Sequence, residues 1–173
     1  MIDRSAAELE QELIDFDNSF LRKLRGAQDA LEHSSDPVSQ SANSIVELVD
    51  RILRTAFGKD EVVDWIIEQM SERFDELTYP KGPTKLGESL CFVYAGGEVG
   101  SFSPIHEVLA RAIVELRTQM QKLKHSDRCS EEEVELANDG LAALRMLLWA
   151  AMTYGWRVAD PERVSSVKVR LSA

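Results

Sequence analysis

Apolar residues recur along most of this chain every three or four positions, the spacing of one face of an α-helix. The first such stretch follows Ser5 and Glu8, which have the spacing of a capping box, and it ends near His33, where "HSSDP" supplies turn formers. Its apolar positions are Leu9, Leu13, Phe16, Phe20, Leu24, Ala27 and Leu31. The pattern predicts one long amphipathic helix.

A second helix is predicted over residues 37–57, because Asp36 can cap it and Pro37 suits its first position. Its apolar arc covers about half the circumference, so this helix should be more deeply buried than the first. The remaining narrow strip carries polar residues that fall on one side of the helix. Asn43 and Glu47 belong to this strip and are candidates for a supporting polar role.

Three more helices complete the pattern. A third follows Gly58 and should stop before Pro80, and a fourth begins at Ser103-Pro104 with His106 in its first turn, either exposed or packed. The fifth opens at Ser130, where Glu133 completes a capping box, and runs to Gly155. The run of glutamates after Ser130 suits the positive end of a helix dipole.

Two segments depart from the helical period. Residues 79–103 contain two prolines and five glycines, and we expect an irregular insert there that holds a short strand or hairpin, with "LCFVYA" as a strand-like run. The tail "SSVKVRLSA" alternates weakly and could add an edge strand. The whole pattern predicts an all-α fold, a five-helix bundle, in a single helical domain over residues 1–173.

Composition narrows the possible functions. The formal net charge of −10 argues against a protein that binds nucleic acid over its whole surface. The start has no signal-peptide pattern and no run is long and apolar enough to cross a membrane, so we expect a cytoplasmic protein. Cys91 and Cys129 lack ligand spacing, and no motif for a metal, a cofactor or a common hydrolase is present. We therefore expect no cofactor.

A local excess of positive charge lies near the end of the fourth helix. Residues 111–128 carry five Lys or Arg and two Asp or Glu, and on a helical wheel Arg117, Lys124, His125 and Arg128 share one strip. Lys122 stands beside them in "KLKHSDR". A local excess of positive charge in an otherwise acidic chain is what a phosphate-binding or RNA-binding site would show. Cations at a helix C-terminus also complement the helix dipole, and that structural role is the alternative.

The long helical pair, the later helix ending in "LRTQMQKLKHSDR" and the capped last helix together resemble HEPN domains, helical ribonuclease and binding modules of prokaryotic toxin and defence systems. The resemblance covers mainly residues 5–57 and 104–155. It implies a metal-independent endoribonuclease site, paired across a homodimer, with His125 as acid or base and Arg117 and Lys124 holding the phosphate. Lys122 and Arg128 would add RNA contacts, with Asn43 and Glu47 in support.

The chain departs from the family motif in one respect. The motif has four to six residues between the arginine and the histidine, which gives positions 118–120 here, whereas Arg117 stands one residue earlier. Either Arg117, Lys122 or Arg128 substitutes, or the chain is a degenerate, inactive form. The alternative from a different class is a non-catalytic acidic interaction module or antitoxin-like partner of another protein. In either case we expect a homodimer formed through helices.

Overall fold

The computed structural model describes residues 18–101, 103–126 and 129–172, and only the backbone of residues 18–21. Backbone contacts divide the chain into two compact units. The first joins the residues up to Arg51 to 115–149, and the second joins 52–114 to the residues from Ala150 onward. Apart from one short hairpin the described fold is all-α, as predicted.

Within the described residues, the helices are α1 (Asn18–His33), α2 (Pro37–Ala56), α3 (Lys59–Gln69), α4 (Phe74–Leu77), α5 (Lys85–Val93), α6 (Pro104–Leu123), α7 (Glu131–Ala150) and α8 (Pro161–Ser172). Strands β1 (Thr78–Tyr79) and β2 (Gly82–Pro83) pair antiparallel, with Thr78 opposite Pro83. Single turns of 3-10 helix occupy Ser71–Arg73 and Trp156–Val158, and a π-helical turn occupies Ala151–Gly155.

Several predicted boundaries are confirmed. α2 and α6 begin at the predicted prolines, and α7 begins after Ser130, whose hydroxyl accepts from the Glu133 amide while the Glu133 carboxylate accepts from the Ser130 amide. The predicted start of the first helix, with Ser5, Glu8, Leu9, Leu13 and Phe16, lies outside the described residues.

The first unit buries one apolar face of each of its helices. Its fully buried side chains include Leu24, Ala27, Ala42, Ile45, Leu48, Met120, Leu141 and Leu144. Gly140 on α7 faces Met120 on α6 so closely that a β-carbon there would stand 2.7 Å from the Met120 sulfur. The side chain of Met120 therefore occupies the space that any larger residue at position 140 would need.

The second unit is built around α5, against which α3 packs. Residues 87–93 of this helix are all buried. The indole N–H of Trp65 donates to the carbonyl of Gly97 at 2.8 Å, and that of Trp156 donates to the carbonyl of Phe92 at 2.7 Å. These bonds satisfy the polar ends of two large buried rings and tie them to α5 and to the turn that follows it.

The predicted strand at "LCFVYA" is wrong, because those residues form the last four positions of α5 and the turn that ends it. Thr84 caps the helix by accepting from the Gly87 amide, and left-handed backbone at Ala95 and Gly96 ends it. A helix buried on every side shows no amphipathic period, so its run of apolar residues has the appearance of a buried strand.

The predicted edge strand in the tail is also wrong, because residues 161–172 form α8. The Asp160 carboxylate accepts from the Glu162 amide, and Pro161 occupies the first helical position. Val167 and Leu171, one turn apart, are buried. The start signal at Asp160-Pro161 and this helical spacing outweigh the weak alternation in the sequence.

Candidate functional site

Arg117, the predicted phosphate clamp, is held by a carboxylate of the same unit. Its Nε and Nη2 donate to the two oxygens of Asp50 on α2, at 2.7 and 2.8 Å. The Arg117 and Asp50 side chains are 22% and 19% exposed. A guanidinium that meets a carboxylate through two parallel hydrogen bonds forms one of the stronger ion pairs in proteins. Asp50 thus occupies the donor edge that Nε and Nη2 form.

Glu47, predicted as a supporting residue, accepts hydrogen bonds from Lys23 on α1 and from Asn43 one turn earlier, the latter at 3.1 Å. These hydrogen bonds, that from Lys23 foremost, lower the pKa of the Glu47 carboxyl, and the ammonium charge of Lys124 adds a weaker attraction. The two predicted supporting residues are therefore in contact with each other. Near these residues, as near Arg117, the positive charges of the first unit are neutralised by neighbouring carboxylates.

His125, the predicted acid or base, lies in the turn that follows α6. Its amide donates to the Lys122 carbonyl at 3.3 Å, while the Lys124 carbonyl accepts from the hydroxyl of Ser39 at 2.8 Å. His125 and Lys122 are exposed and Lys124 is half-buried. Arg128 lies outside the described residues. The structure thus joins Arg117 to Asp50 and Asn43 to Glu47, and it places His125 at the solvent-exposed end of the strip.

A second concentration of charge, which the sequence reasoning missed, lies in residues 59–77. This segment carries seven carboxylates and two cations, a net charge of −5 and half that of the chain. Glu61 is paired with Arg170, and Glu76 with Arg73 and Arg111. The other carboxylates are exposed and form no hydrogen bond or ion pair with any described residue: Asp60, Asp64, Glu68, Glu72 and Asp75. A simple count of charges along the chain would have found this segment.

An apolar cleft of about 470 Å³ opens beside one of these carboxylates, Asp75, whereas Asp64 and Glu68 line a separate cavity. We name it the hairpin cleft; its lining residues are Val63, Phe74, Asp75, Thr78, Tyr79, Pro80 and Gly82. Phe74 and Tyr79 are 38% and 48% exposed, and Ile67, one turn beyond Val63 on α3, is 52% exposed. Large apolar side chains grouped at a surface are typical of binding sites, whereas single exposed ones are ordinary.

A cavity of about 290 Å³ lies on the other flank of α3, where α5 and α8 line it. Its two arginines already have partners: Arg170 bonds the Glu61 carboxylate and the Ala56 carbonyl, and Arg163 bonds the Gly96 carbonyl. Burial raises the pKa of the Cys91 thiol in its wall. The thiol is therefore protonated near neutral pH and is a poor nucleophile.

His106 has the packing role that was one of its two predicted alternatives. It is 3% exposed, and its ring stacks on Tyr94 with the ring centres 4.1 Å apart. Because a carbonyl only accepts, Nε2 donates to the Gly155 oxygen at 2.8 Å, and Nδ1 then faces the hydroxyl of Ser103 at 2.5 Å. Both ring nitrogens are satisfied, so this histidine tethers the start of α6 rather than facing a substrate.

Neither a metal-binding cluster nor a membrane-spanning helix is found in the described part of the chain. No group of three or more His, Cys, Asp or Glu is placed there to hold a metal ion. None of the described helices is both long enough and apolar enough to span a membrane.

Comparison with protein-family models, with curated proteins and with solved structures found no match to this chain. The resemblance to HEPN domains therefore rests on the sequence pattern alone and stays a prediction.

Proposed function

We propose that this chain is a non-catalytic, acidic helical interaction module that binds another protein. The observation that carries the proposal is an asymmetry in charge pairing. The arginine predicted to hold a phosphate is paired with Asp50, whereas five carboxylates of residues 59–77 are exposed and unpaired among the described residues. The charge that residues 59–77 leave available for a partner is negative, so a partner that binds there should be positively charged.

The same pairing weakens the case for a ribonuclease. To clamp a phosphate through Nε and Nη2, Arg117 would have to release Asp50, and the carboxylate would in any case stand near the incoming anion. Glu47, beside the half-buried Lys124, adds a second negative charge on the same face of α2. These two negative charges oppose the binding of a phosphate.

The competing hypothesis is a HEPN-like, metal-independent ribonuclease of a toxin or defence system. In that case His125, exposed next to Lys122, would move the proton and the remaining cations would bind RNA. A degenerate form of such an enzyme, acting as an antitoxin-like partner, is compatible with the proposed binding function.

The decisive experiment is RNA cleavage in EDTA by the wild-type protein, by His125→Ala and by His33→Ala. His33 is an exposed histidine at the end of α1, so its variant is a matched control. We expect all three proteins to leave labelled RNA as intact as buffer does. Cleavage that is lost in His125→Ala and retained in His33→Ala would overturn the proposal.

Two coarser expectations accompany the proposal. We propose that the protein acts in the cytoplasm as a homodimer joined through helices. Light scattering should then give a mass near twice 19.4 kDa, and a mass of about one chain over a wide concentration range would contradict the dimer.

A further inference from the structure

We infer that the cavity lined by α3, α5 and α8 binds a small basic amino acid, a ligand with one carboxylate and two cationic groups. We name it the α3–α8 cavity; it measures about 290 Å³, and all its lining residues belong to the second unit. The inference goes beyond the proposed binding of another protein and does not depend on it. It rests on the charges that two helices present to the cavity and on which of these charges are paired.

The two helices line the cavity with side chains at the same spacing. On each helix the lining residues occupy positions i, i+3, i+4 and i+7, which form a single face. α3 contributes three carboxylates and an indole, and α8 contributes two guanidinium groups, a hydroxyl and one apolar side chain: Glu61, Asp64, Trp65 and Glu68 on α3, and Arg163, Ser166, Val167 and Arg170 on α8. One wall of the cavity is therefore acidic, and another is basic.

The acidic and basic walls are joined at one end of the cavity. The Nη1 and Nη2 atoms of Arg170, near the end of α8, donate to the two carboxylate oxygens of Glu61, near the start of α3, at 2.9 and 2.8 Å. A bidentate pair of this kind neutralises both groups. These two residues hold the helices together and leave no net charge for a ligand.

The same pairing is not repeated at the other end of the cavity. Arg163, two turns before the paired arginine, donates to the Gly96 carbonyl at 2.8 Å. The next carbonyl, that of Gly97, accepts from the indole of Trp65, which places Arg163 beside the second half of α3. Glu68 belongs to that half and lines the same cavity, yet the two residues form no ion pair.

Three charges of the cavity wall are thus uncompensated among the described residues. Asp64 and Glu68 form no hydrogen bond or ion pair there, and Arg163 meets only a carbonyl oxygen, which carries no net charge. The set to be matched is two negative charges and one positive charge. A basic amino acid such as lysine carries the opposite set, with a carboxylate for Arg163 and two ammonium groups for the two carboxylates.

The geometry of the cavity suits such a ligand. Asp64 and Glu68 stand one helical turn apart, so their β-carbons are separated by roughly 5–6 Å. The methylene stem between the two ammonium groups would lie along the apolar part of the wall, which includes Phe57, Cys91 and Ala95. The volume of about 290 Å³ is at the lower end of the range for ligand pockets, on the order of 300–1,000 Å³. A ligand with phosphate groups or with two carboxylates would place negative charge beside Asp64 and Glu68.

The test is a titration of the full chain with lysine, followed by the amide chemical shifts in NMR spectra. Two analogues each lack one charge: cadaverine has both ammonium groups but no carboxylate, and norleucine has no side-chain ammonium. We expect lysine to bind about tenfold more tightly than either analogue, the loss that corresponds to one charge-assisted hydrogen bond. Lysine that binds no better than cadaverine or norleucine, or that shows no saturation by about 10 mM, would overturn the inference.

Variants assign each charge of the ligand to a residue. Arg163→Gln should weaken lysine about tenfold and leave cadaverine unchanged, because cadaverine has no carboxylate to lose. Arg163→Lys keeps the charge and should retain the preference for lysine. Glu68→Gln should weaken both ligands about fivefold. The matched controls are Arg157→Gln and Glu72→Gln, at exposed residues of the second unit that do not line this cavity, and they should change neither affinity.

The pattern across the two ligands separates loss of the site from loss of the fold. Cadaverine that still binds Arg163→Gln shows that the cavity of this variant is intact, and circular dichroism melts verify the fold of Glu68→Gln. Unchanged lysine affinity in either variant would overturn the inference, and so would equal losses of lysine and cadaverine in a folded Arg163→Gln protein.

Discussion

Removing the carboxylate of Asp50 should cost the fold about 1–2 kcal/mol, because it leaves the Arg117 guanidinium without its bidentate partner. Fully exposed ion pairs contribute on the order of 0.2–1 kcal/mol, and breaking a fully buried pair costs roughly 3–5 kcal/mol. The Arg117 and Asp50 side chains, 22% and 19% exposed, lie between these limits. For a chain of this length, 1–2 kcal/mol corresponds to a fall in melting temperature of about 2–8 °C.

A double-mutant cycle measures the pair directly. Urea unfolding of wild type, Asp50→Ala, Arg117→Met and the double variant gives the coupling free energy, and methionine keeps the apolar stem of the arginine. We expect a coupling of about 1 kcal/mol or more. The more exposed pair Lys23–Glu47, with side chains 27% and 53% exposed, serves as the reference and should give about 0.5 kcal/mol or less.

If Asp50 holds Arg117 in solution, the two residues cannot contribute independently to stability. A coupling below about 0.3 kcal/mol, the usual error of additivity, would mean that Asp50 does not neutralise Arg117 in solution. The guanidinium would then be available to an anion, and the charge argument against a phosphate site would be lost.

Three further predictions concern stability and reactivity. Gly87→Ala should lower the free energy of unfolding by about 1–3 kcal/mol, because its β-carbon would stand 2.6 Å from the Leu77 carbonyl oxygen. The matched change Gly26→Ala has open space around it and should raise the free energy of unfolding by about 0.5–1 kcal/mol. Hydrogen bonds from Arg170 and then from the Gly58 amide lower the pKa of Glu61, so its stabilising contribution is full above about pH 4.5 and is lost as the pH falls through the lowered value. Urea titrations should therefore show Glu61→Gln less stable than wild type at pH 7 and equally stable in strong acid. A difference in unfolding free energy that persists in strong acid would contradict this. A thiol reagent should label Cys129 rapidly and Cys91 only after unfolding, because the Cys91 thiol is buried and its pKa is raised. Rapid labelling of both thiols in the native protein would refute this prediction.

The acidic and apolar surface of residues 59–77 shows the difference between local and tertiary information. Its seven carboxylates can be counted in the sequence, but their pairing cannot. Glu61 is neutralised by Arg170, 109 positions away, whereas Asp64 remains unpaired among the described residues. Which carboxylates stay available to a partner was decided by packing.

The two incorrect strand predictions have different causes. The start of α8 could have been predicted from the sequence, since Asp160-Pro161 repeats the signal Asp36-Pro37 that correctly placed the start of α2. The helical state of α5 could not be predicted in the same way, because a helix that is buried on every side lacks the polar face that gives the sequence a helical period.

The sequence by itself determined the helical class and most helix starts, because capping residues and apolar spacing act within three or four positions. It also identified the cations of α6 as a group. Only the tertiary structure decided what those cations can do, since Arg117 meets Asp50 across 67 positions of chain. Ion pairing depends on which helix faces are brought together, and that is a property of the folded core rather than of any local pattern.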